Sequence, residues 1–127
     1  TLSSSSAASD VYKRQGINIH ADFAAVNINF WITQSEANLD PNSGGMVVYN
    51  TEAPKDWSFD MYNTNLSRIR DELSKSNGGM QIIPHRENRM VIFNSNLFHE
   101  TDKYYFKEGY ENRRINVTML FGKREDN

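Results

Sequence analysis

The sequence predicts a mainly β protein with the architecture of a jelly-roll or cupin-like sandwich. Several short stretches alternate apolar and polar residues, which is the pattern of half-buried strands. Few of the turns between them are tight Asn-Gly hairpins, and this favours long crossing connections over a simple meander. One segment changes to a helical period, so we expect a single helix inserted into the β chain.

The clearest strand signal covers residues 24–33. Alternate side chains of an extended chain share a face, so Asn27, Asn29 and Trp31 lie opposite an apolar face. That apolar face consists of Val26, Ile28, Phe30 and Ile32. Further strand signals, in chain order, cover residues 17–20, 46–49, 80–84, 89–93, 97–101 and 113–121.

The inserted helix is predicted between residues 56 and 76. Apolar side chains recur there at helical spacing, at Leu66, Ile69 and Leu73. Thr64 or Asn65 can act as the N-cap, since both side chains accept a hydrogen bond from a free main-chain N–H. The glycines at positions 78 and 79 end the helix.

Composition and charge restrict the classes of function. The 127 residues fit one domain. The net charge of -2 gives no indication of a basic surface that would bind nucleic acid. No apolar run approaches the roughly 20 residues that span a membrane. The absence of cysteine excludes a disulfide framework, a cysteine-ligated zinc site and a thiol nucleophile. Because it also fits a reducing compartment, we expect a cytoplasmic protein.

The first fifteen residues, TLSSSSAASDVYKRQ, are predicted to be a disordered or non-native tail. They lack the apolar segment of a signal peptide. Residues 5–15 are similar to the in-frame translation of a sequencing-library adapter, and such artefacts are kept out of fold reasoning. We therefore expect native sequence to begin at Gly16, with a β domain over residues 16–122 and a polar tail over residues 123–127.

A histidine and an aspartate stand two residues apart in His20-Ala21-Asp22. On an extended chain these two side chains project from the same face. An imidazole and a carboxylate so placed are two of the three ligands of a 2-His-1-carboxylate site, the usual site for non-haem Fe(II) with open coordination positions. The alternative for this pair alone is a solvated turn.

A second histidine ligand is needed on another strand, and His99 is the better candidate. It follows the apolar strand at 89–93 and lies far enough from His20 for the chain to go round a β-sandwich and return. The alternative is a half-buried histidine that closes a strand. His85 follows Pro84 in a polar turn, so we expect His85 at the surface.

The last predicted strand carries a candidate anchor for an anionic ligand. Along residues 113–121, Arg114 and Asn116 share the polar face. From that face Arg114 can hold a carboxylate in a bidentate pair, and Asn116 can add a hydrogen bond to the same ligand. The alternative is a charged strand start in solvent, which is the position we expect for Arg113.

In combination these residues resemble the pattern of the Fe(II)- and 2-oxoglutarate-dependent oxygenases. That pattern is H-x-D, then a distal histidine, then an arginine on the last strand, and here it reads His20-Ala21-Asp22, His99 and Arg114. The Arg-x-Asn-x-Thr form of the last strand also occurs in branches of that superfamily. The resemblance covers residues 16–122 and implies a double-stranded β-helix.

The resemblance also implies a reaction and its cofactors. His20, Asp22 and His99 would bind Fe(II), and Arg114 would pair with the distal carboxylate of 2-oxoglutarate. Such a site uses O2 to hydroxylate a substrate, with release of succinate and CO2, and the iron supplies this chemistry while the protein supplies orientation. The substrate, a small molecule or a peptide, does not follow from the sequence.

The polar face of the 24–33 strand supplies further candidates for contact with 2-oxoglutarate, namely Asn29 and Trp31, in addition to Asn116. Asn27 lies on the same face, and all three side chains of that face could contact 2-oxoglutarate or line the substrate pocket. The alternative for Trp31 is that it only fills the interior of the sandwich.

Members of the oxygenase superfamily carry helices and strands before H-x-D, and here only residues 16–19 separate the adapter-like segment from His20. Besides the apolar face of the 24–33 strand, the last strand has an apolar face formed by Ile115, Val117, Met119 and Phe121. We expect these two apolar strand faces to be the surfaces that such a segment covers, and the chain as written to be poorly soluble or inactive. Two functions from other classes stay open. One is a non-redox, metal-binding cupin-like protein, an isomerase or a sugar-binding module, and the other is a degenerate oxygenase fold kept for protein interaction.

Overall fold

The structure of the chain, a computed structural model, describes residues 16–125. The predicted tail over residues 1–15 and the last two residues of the predicted polar tail lie outside that range. Within it the protein is mainly β, as predicted, with two antiparallel three-stranded sheets and two α-helices. The strands are β1 (Val26–Trp31), β2 (Met46–Glu52), β3 (Met80–Ile83), β4 (Met90–Asn94), β5 (Leu97–Thr101) and β6 (Asn116–Phe121). The helices are α1 (Phe59–Asn63) and α2 (Leu66–Lys75), and short 3-10 turns lie at Ser35–Ala37 and Tyr110–Asn112.

The strands divide into a first sheet, in the order β4-β1-β6, and a second sheet, in the order β3-β2-β5. Only the connection from β2 to β3 stays within one sheet, and each other connection between successive strands crosses to the opposite sheet. The segment predicted as a strand at 17–20 forms a single bridge, between His20 and His99. The last strand begins later than predicted, because the main-chain N–H of Ile115 donates to the side chain of Thr33 and not to a strand partner.

The central strand of the first sheet, β1, alternates as the sequence predicts. Asn27, Asn29 and Trp31 point into the interior and are buried. Trp31 packs there with Met46 and Val48 of the second sheet, so the two sheets share an apolar core at this end. Toward the other end of β1 the interior is lined by amides, and this polar wall positions the site described below.

The prediction of one inserted helix is wrong, because two helices lie between β2 and β3. The predicted helix is α2, and its N-cap is Asn65, whose side chain accepts a hydrogen bond from the main-chain N–H of Arg68 at 3.2 Å. The additional helix, α1, has only five residues and buries a single side chain, that of Tyr62. Five residues are too few to show a 3.6-residue period, so the pattern that predicts α2 cannot reveal α1.

The two helices cover the segment that carries the H-x-D motif. A buried cluster joins the helices, the motif and the second sheet, and its members are Ile19, Ala21, Ala53, Tyr62, Ile69 and Phe98. Two of these residues, Ile19 and Ala21, flank His20 in the sequence. Their burial fixes the direction in which the side chains of His20 and Asp22 project.

The opposite face of the first sheet is apolar and exposed. Its most exposed side chains are Val26, Ile32, Met90, Ile92, Ile115, Val117, Met119 and Phe121. The register of β1 with β6 places the two apolar faces noted in the sequence side by side on this surface. A contiguous apolar surface of this kind is typical of an interaction site. None of the helices in residues 16–125 has the length and hydrophobicity of a membrane span.

Ile69→Ala and Ile92→Ala make the same chemical change in two environments. Ile69 on α2 is fully buried, whereas Ile92 on β4 is 61% exposed. We expect Ile69→Ala to lower the free energy of unfolding by about 2–5 kcal/mol, because it removes buried methyl groups and leaves a cavity. Ile92→Ala should cost about 0.5 kcal/mol or less. Urea unfolding followed by circular dichroism measures both, and equal losses would contradict the outward orientation of Ile92.

Candidate metal centre

A pair of main-chain hydrogen bonds places His20 beside His99. The N–H of His20 donates to the carbonyl of His99 at 3.0 Å, and the N–H of His99 donates back to the carbonyl of His20 at 2.9 Å. Residues that exchange both hydrogen bonds in an antiparallel bridge carry their side chains on the same face. The two imidazole centroids are 4.4 Å apart as a result.

Asp22 reaches the same place because it lies two residues beyond His20 on an extended segment. Three hydrogen bonds hold this segment: the N–H of Asp22 donates to the carbonyl of Ser95 at 3.2 Å, and Ala21 donates to Tyr62 at 2.7 Å. The side-chain amide of Asn63 donates to the carbonyl of Ala21 at 2.9 Å. Helix α1 therefore fixes the main chain of Ala21, the residue between His20 and Asp22.

The structure brings the three predicted metal ligands together. One ligand atom from each of His20, Asp22 and His99 lies within 4.8 Å of the other two. The Nε2 atom of His99 is 3.1 Å from one carboxylate oxygen of Asp22, and the Nε2 atom of His20 is 3.5 Å from the other. His99 is buried, while His20 and Asp22 keep a small exposed fraction through which a ligand could reach the centre.

Main-chain carbonyls determine which nitrogen of each imidazole faces the centre. The Nδ1 atom of His20 is 2.7 Å from the carbonyl of Asn18, and the Nδ1 atom of His99 is 2.8 Å from the carbonyl of Leu97. A carbonyl oxygen only accepts, so each Nδ1 carries the proton and each neutral ring presents an Nε2 lone pair. Two lone pairs and a carboxylate then converge, which is unfavourable unless a cation lies between them. The donor set therefore fits a divalent metal ion.

The electrostatic environment favours the deprotonated forms that a metal requires. Burial, and next the proximity of His99, lowers the pKa of His20 below its ordinary value. Burial alone would raise the pKa of Asp22, but the close contact with His99, the nearby ring of His20 and the amide of Asn27 outweigh it, and the pKa falls. Both groups therefore lose their protons at a lower pH than they do in an unfolded chain.

A row of amides leads from Asp22 into the interior of the sandwich. Asn27 donates to the carboxylate of Asp22 at 2.8 Å, on the same oxygen that faces His99. Asn29 donates to the oxygen of Asn27 at 2.6 Å, and Asn116 donates to the oxygen of Asn29 at 2.7 Å. The sequence predicts contact with 2-oxoglutarate for Asn29 and Asn116. In the structure, the amide nitrogens of both residues are directed along this row.

Arg114 lies past the end of this row that is far from Asp22, next to the loop that carries Gly44 and Gly45. Its Nε donates to the carbonyl of Gly44 at 2.6 Å and one terminal nitrogen donates to the carbonyl of Gly45 at 2.9 Å. The ring of Tyr104 lies 5.5 Å from the guanidinium carbon. Two of the five N–H groups are thus already paired within the protein, and three remain for a ligand. Arg113 is exposed, as predicted.

The expectation that His85 lies at the surface is wrong, because the side chain is only 3% exposed. It packs between the rings of Trp31 and Phe106, at centroid distances of 5.8 and 5.0 Å. Its main-chain N–H donates to the carbonyl of Ser43 at 3.1 Å. This hydrogen bond holds the turn after β3 against the loop that carries Gly44 and Gly45, which we call the glycine loop. A local pattern of proline and polar residues cannot reveal a contact with a segment that lies so far away along the chain.

No family model, curated protein or solved structure matches this chain. The geometry of residues 16–125 gives two residues functional roles that the sequence does not predict for them. Asn27 orients the carboxylate ligand, and His85 is buried beside Arg114 and Trp31.

Asn27→Ala should weaken divalent metal binding about 10–100-fold, because the amide that holds the Asp22 carboxylate is lost while all three ligands remain. Asp22→Ala should abolish tight binding. Isothermal titration of the metal-free chain with Co2+ measures both variants. Asn96→Ala is the matched control, since this buried amide donates to the carbonyl of Ala53 and not to a ligand. Equal affinities for Asn27→Ala and Asn96→Ala would contradict the role of Asn27.

His85 should make the metal-free protein more sensitive to acid. Burial, and then the charges of Arg114 and Arg89, lower its pKa from 6.5 to about 4. Between these values the unfolded chain binds a proton that the folded chain does not, so the free energy of unfolding falls as the pH falls. We expect this fall from pH 6.5 to pH 4 to be smaller in His85→Gln. Urea unfolding at a series of pH values measures the difference, and parallel curves for the two proteins would refute it.

Proposed function

We propose that this chain carries the catalytic core of an Fe(II)- and 2-oxoglutarate-dependent oxygenase with a double-stranded β-helix fold. The observation that carries the proposal is the convergence of two Nε2 lone pairs and one carboxylate within 4.8 Å. Two histidines and one carboxylate on one side of a metal leave open positions for other ligands, and this arrangement is typical of non-haem Fe(II) oxygenases.

The fold is consistent with the proposal. The chain crosses between the two sheets at four of its five strand connections, as a double-stranded β-helix requires of its successive strands. The ligands come from the segment that leads into β1 and from β5 of the second sheet, to which that segment is bridged. A metal bound there would hold the entry to the first sheet against the second sheet.

The charge of the centre favours an anionic cosubstrate. Two neutral imidazoles and one carboxylate compensate only one of the two positive charges of Fe(II), so the loaded site would attract a negative ligand. Arg114 is half-buried, and among residues 16–125 no carboxylate lies within 4.0 Å of it. A dicarboxylic 2-oxo acid matches both features, because one end can bind a metal and the other a guanidinium.

The residues of this chain then have separate roles. His20, Asp22 and His99 would hold Fe(II), which when bound supplies the oxidising chemistry that couples decarboxylation of 2-oxoglutarate to hydroxylation of a substrate. Asn27 fixes the carboxylate ligand through its amide. Arg114 would orient the cosubstrate through its remaining N–H groups, since Gly44 and Gly45 hold the guanidinium in place.

One observation favours the second candidate, a non-redox metal-binding protein with a cupin-like fold. Arg114 already donates to two main-chain carbonyls, and an arginine with this purpose alone would be structural. A protein of that kind would bind a divalent metal at the triad without selecting a dicarboxylate. Binding of 2-oxoglutarate therefore separates the two candidates.

The decisive assay measures succinate formed from 2-oxoglutarate by the chain under air, with and without added Fe(II). Any succinate formed should depend on iron and disappear in His99→Ala. Because the chain as written is expected to be poorly soluble or inactive, binding of 2-oxoglutarate to the metal-loaded chain is the readout that does not need turnover. Arg114→Ala should weaken 2-oxoglutarate affinity about 10–100-fold, since hydrogen bonds to charged groups contribute about 1.5–3 kcal/mol. Arg113→Ala is the matched control, because that exposed neighbour contacts Tyr110 and not the glycine loop.

An unchanged 2-oxoglutarate affinity in Arg114→Ala would refute the anchor role. Tight metal binding with no succinate and no 2-oxoglutarate binding in the unsubstituted chain would refute the oxygenase and support the cupin-like candidate. The metal titration and the cosubstrate titration therefore test different parts of the proposal.

A further inference from the structure

Buried polar atoms without partners cluster around Arg114. Both ring nitrogens of His85 and the Nε1 atom of Trp31 are buried and make no hydrogen bond within the described part of the chain. The side-chain oxygen of Asn116 is also buried and has no hydrogen-bond partner there. A buried donor or acceptor without a hydrogen-bond partner is destabilising, so such atoms are uncommon in folded proteins and suggest that a ligand supplies the partner.

These side chains belong to one place, which we call the arginine subsite: Arg114, His85, Trp31 and the Gly44-Gly45 loop. The rings of Trp31 and His85 are 5.8 Å apart, and the loop carbonyls accept from Arg114. A Cβ added at Gly45 would lie 2.8 Å from Trp31 and 2.9 Å from the main-chain nitrogen of His85. The loop that fixes Arg114 is therefore also packed against the ring of Trp31 and the main chain of His85.

The chemistry of the arginine subsite suits an anion. Arg114 and Arg89 both act on His85 electrostatically. No carboxylate of residues 16–125 pairs with Arg114 within 4.0 Å, and the charge of Asp102 acts on it from a greater distance. Next to two guanidinium groups His85 stays neutral, and a neutral imidazole offers one N–H donor. The indole N–H of Trp31 is a second donor. Two N–H groups of Arg114 already donate to the loop carbonyls. A carboxylate bound beside Arg114 would therefore also accept hydrogen bonds from the rings of His85 and Trp31.

We propose that His85 is a second anchor for the distal carboxylate of the 2-oxo acid and sets the chain length of the acid that binds. This inference rests on the proposed function and names a side chain that would select the 2-oxo acid by its chain length. His85 donates to the carboxylate beside Arg114, and its ring closes the subsite behind it. The T-shaped contact with Phe106 at 5.0 Å and the main-chain bond to Ser43 fix the ring in that position.

Titration of the Co2+-loaded chain with three acids tests the proposal without turnover. The probes are 2-oxoglutarate, 2-oxoadipate, which has one more methylene, and pyruvate, which lacks the distal carboxylate. His85→Phe keeps the ring and removes its N–H. We expect this variant to weaken 2-oxoglutarate binding about tenfold or more and to leave pyruvate binding unchanged, because only the distal carboxylate loses a donor.

Two further variants give independent readouts. His85→Ala opens space at the end of the subsite, so the affinity for 2-oxoadipate relative to 2-oxoglutarate should rise. Arg86→Ala is the matched control, because the neighbouring side chain is exposed and should change neither affinity. Circular dichroism and a thermal midpoint establish that each variant is folded. If His85→Phe does not fold, the ratio of the two affinities in His85→Ala decides alone.

The outcomes distinguish this inference from the proposed function. Unchanged 2-oxoglutarate affinity in folded His85→Phe, with binding lost in Arg114→Ala, would overturn the role of His85 and leave the oxygenase intact. An equal loss of pyruvate and 2-oxoglutarate binding would show a general structural effect and would also overturn it. If the unsubstituted Co2+-loaded chain binds no 2-oxo acid, the oxygenase and the second anchor are both refuted.

Discussion

The hydrogen-bonded bridge between His20 and His99 is the interaction on which the candidate centre depends. It joins a segment that precedes the first sheet to β5 of the second sheet, and it places both imidazoles on one face. The side chain of Asp22 projects from the same face as that of His20, because residues two apart on an extended chain share a face. The burial of Ile19 and Ala21 under the helices then excludes the alternative in which the motif is a solvated turn.

The inner face of the first sheet combines two kinds of environment. Near the centre it carries a hydrogen-bonded row of asparagines, and farther along β1 it carries a tryptophan packed against the second sheet. Buried amides are costly unless they are paired, and the row pairs each amide with the next. This arrangement keeps the interior polar beside the carboxylate ligand and apolar where Trp31 meets Met46 and Val48.

Local patterns in the sequence predict the strands, helix α2 and the inward direction of Asn27, Asn29 and Trp31, because these depend on periods of 2 and 3.6 residues. The three metal-ligand candidates also follow from spacing and residue type, and the structure brings them together. Such local patterns do not predict contacts between segments that are distant in the sequence. The burial of His85 depends on Ser43 and Gly45, and the pairing of Arg114 depends on the same loop.

Each histidine is oriented by a carbonyl from its own peptide segment, two residues before it: Asn18 for His20 and Leu97 for His99. The angle of each ring is therefore set within its own segment, while the main-chain bridge sets how far apart the two rings lie. The carboxylate of Asp22 is held differently, by the amide of Asn27 on β1 in the other sheet. A change in the spacing between the sheets would then move the carboxylate relative to the two nitrogens, so that ion size and sheet spacing are coupled through the one oxygen ligand.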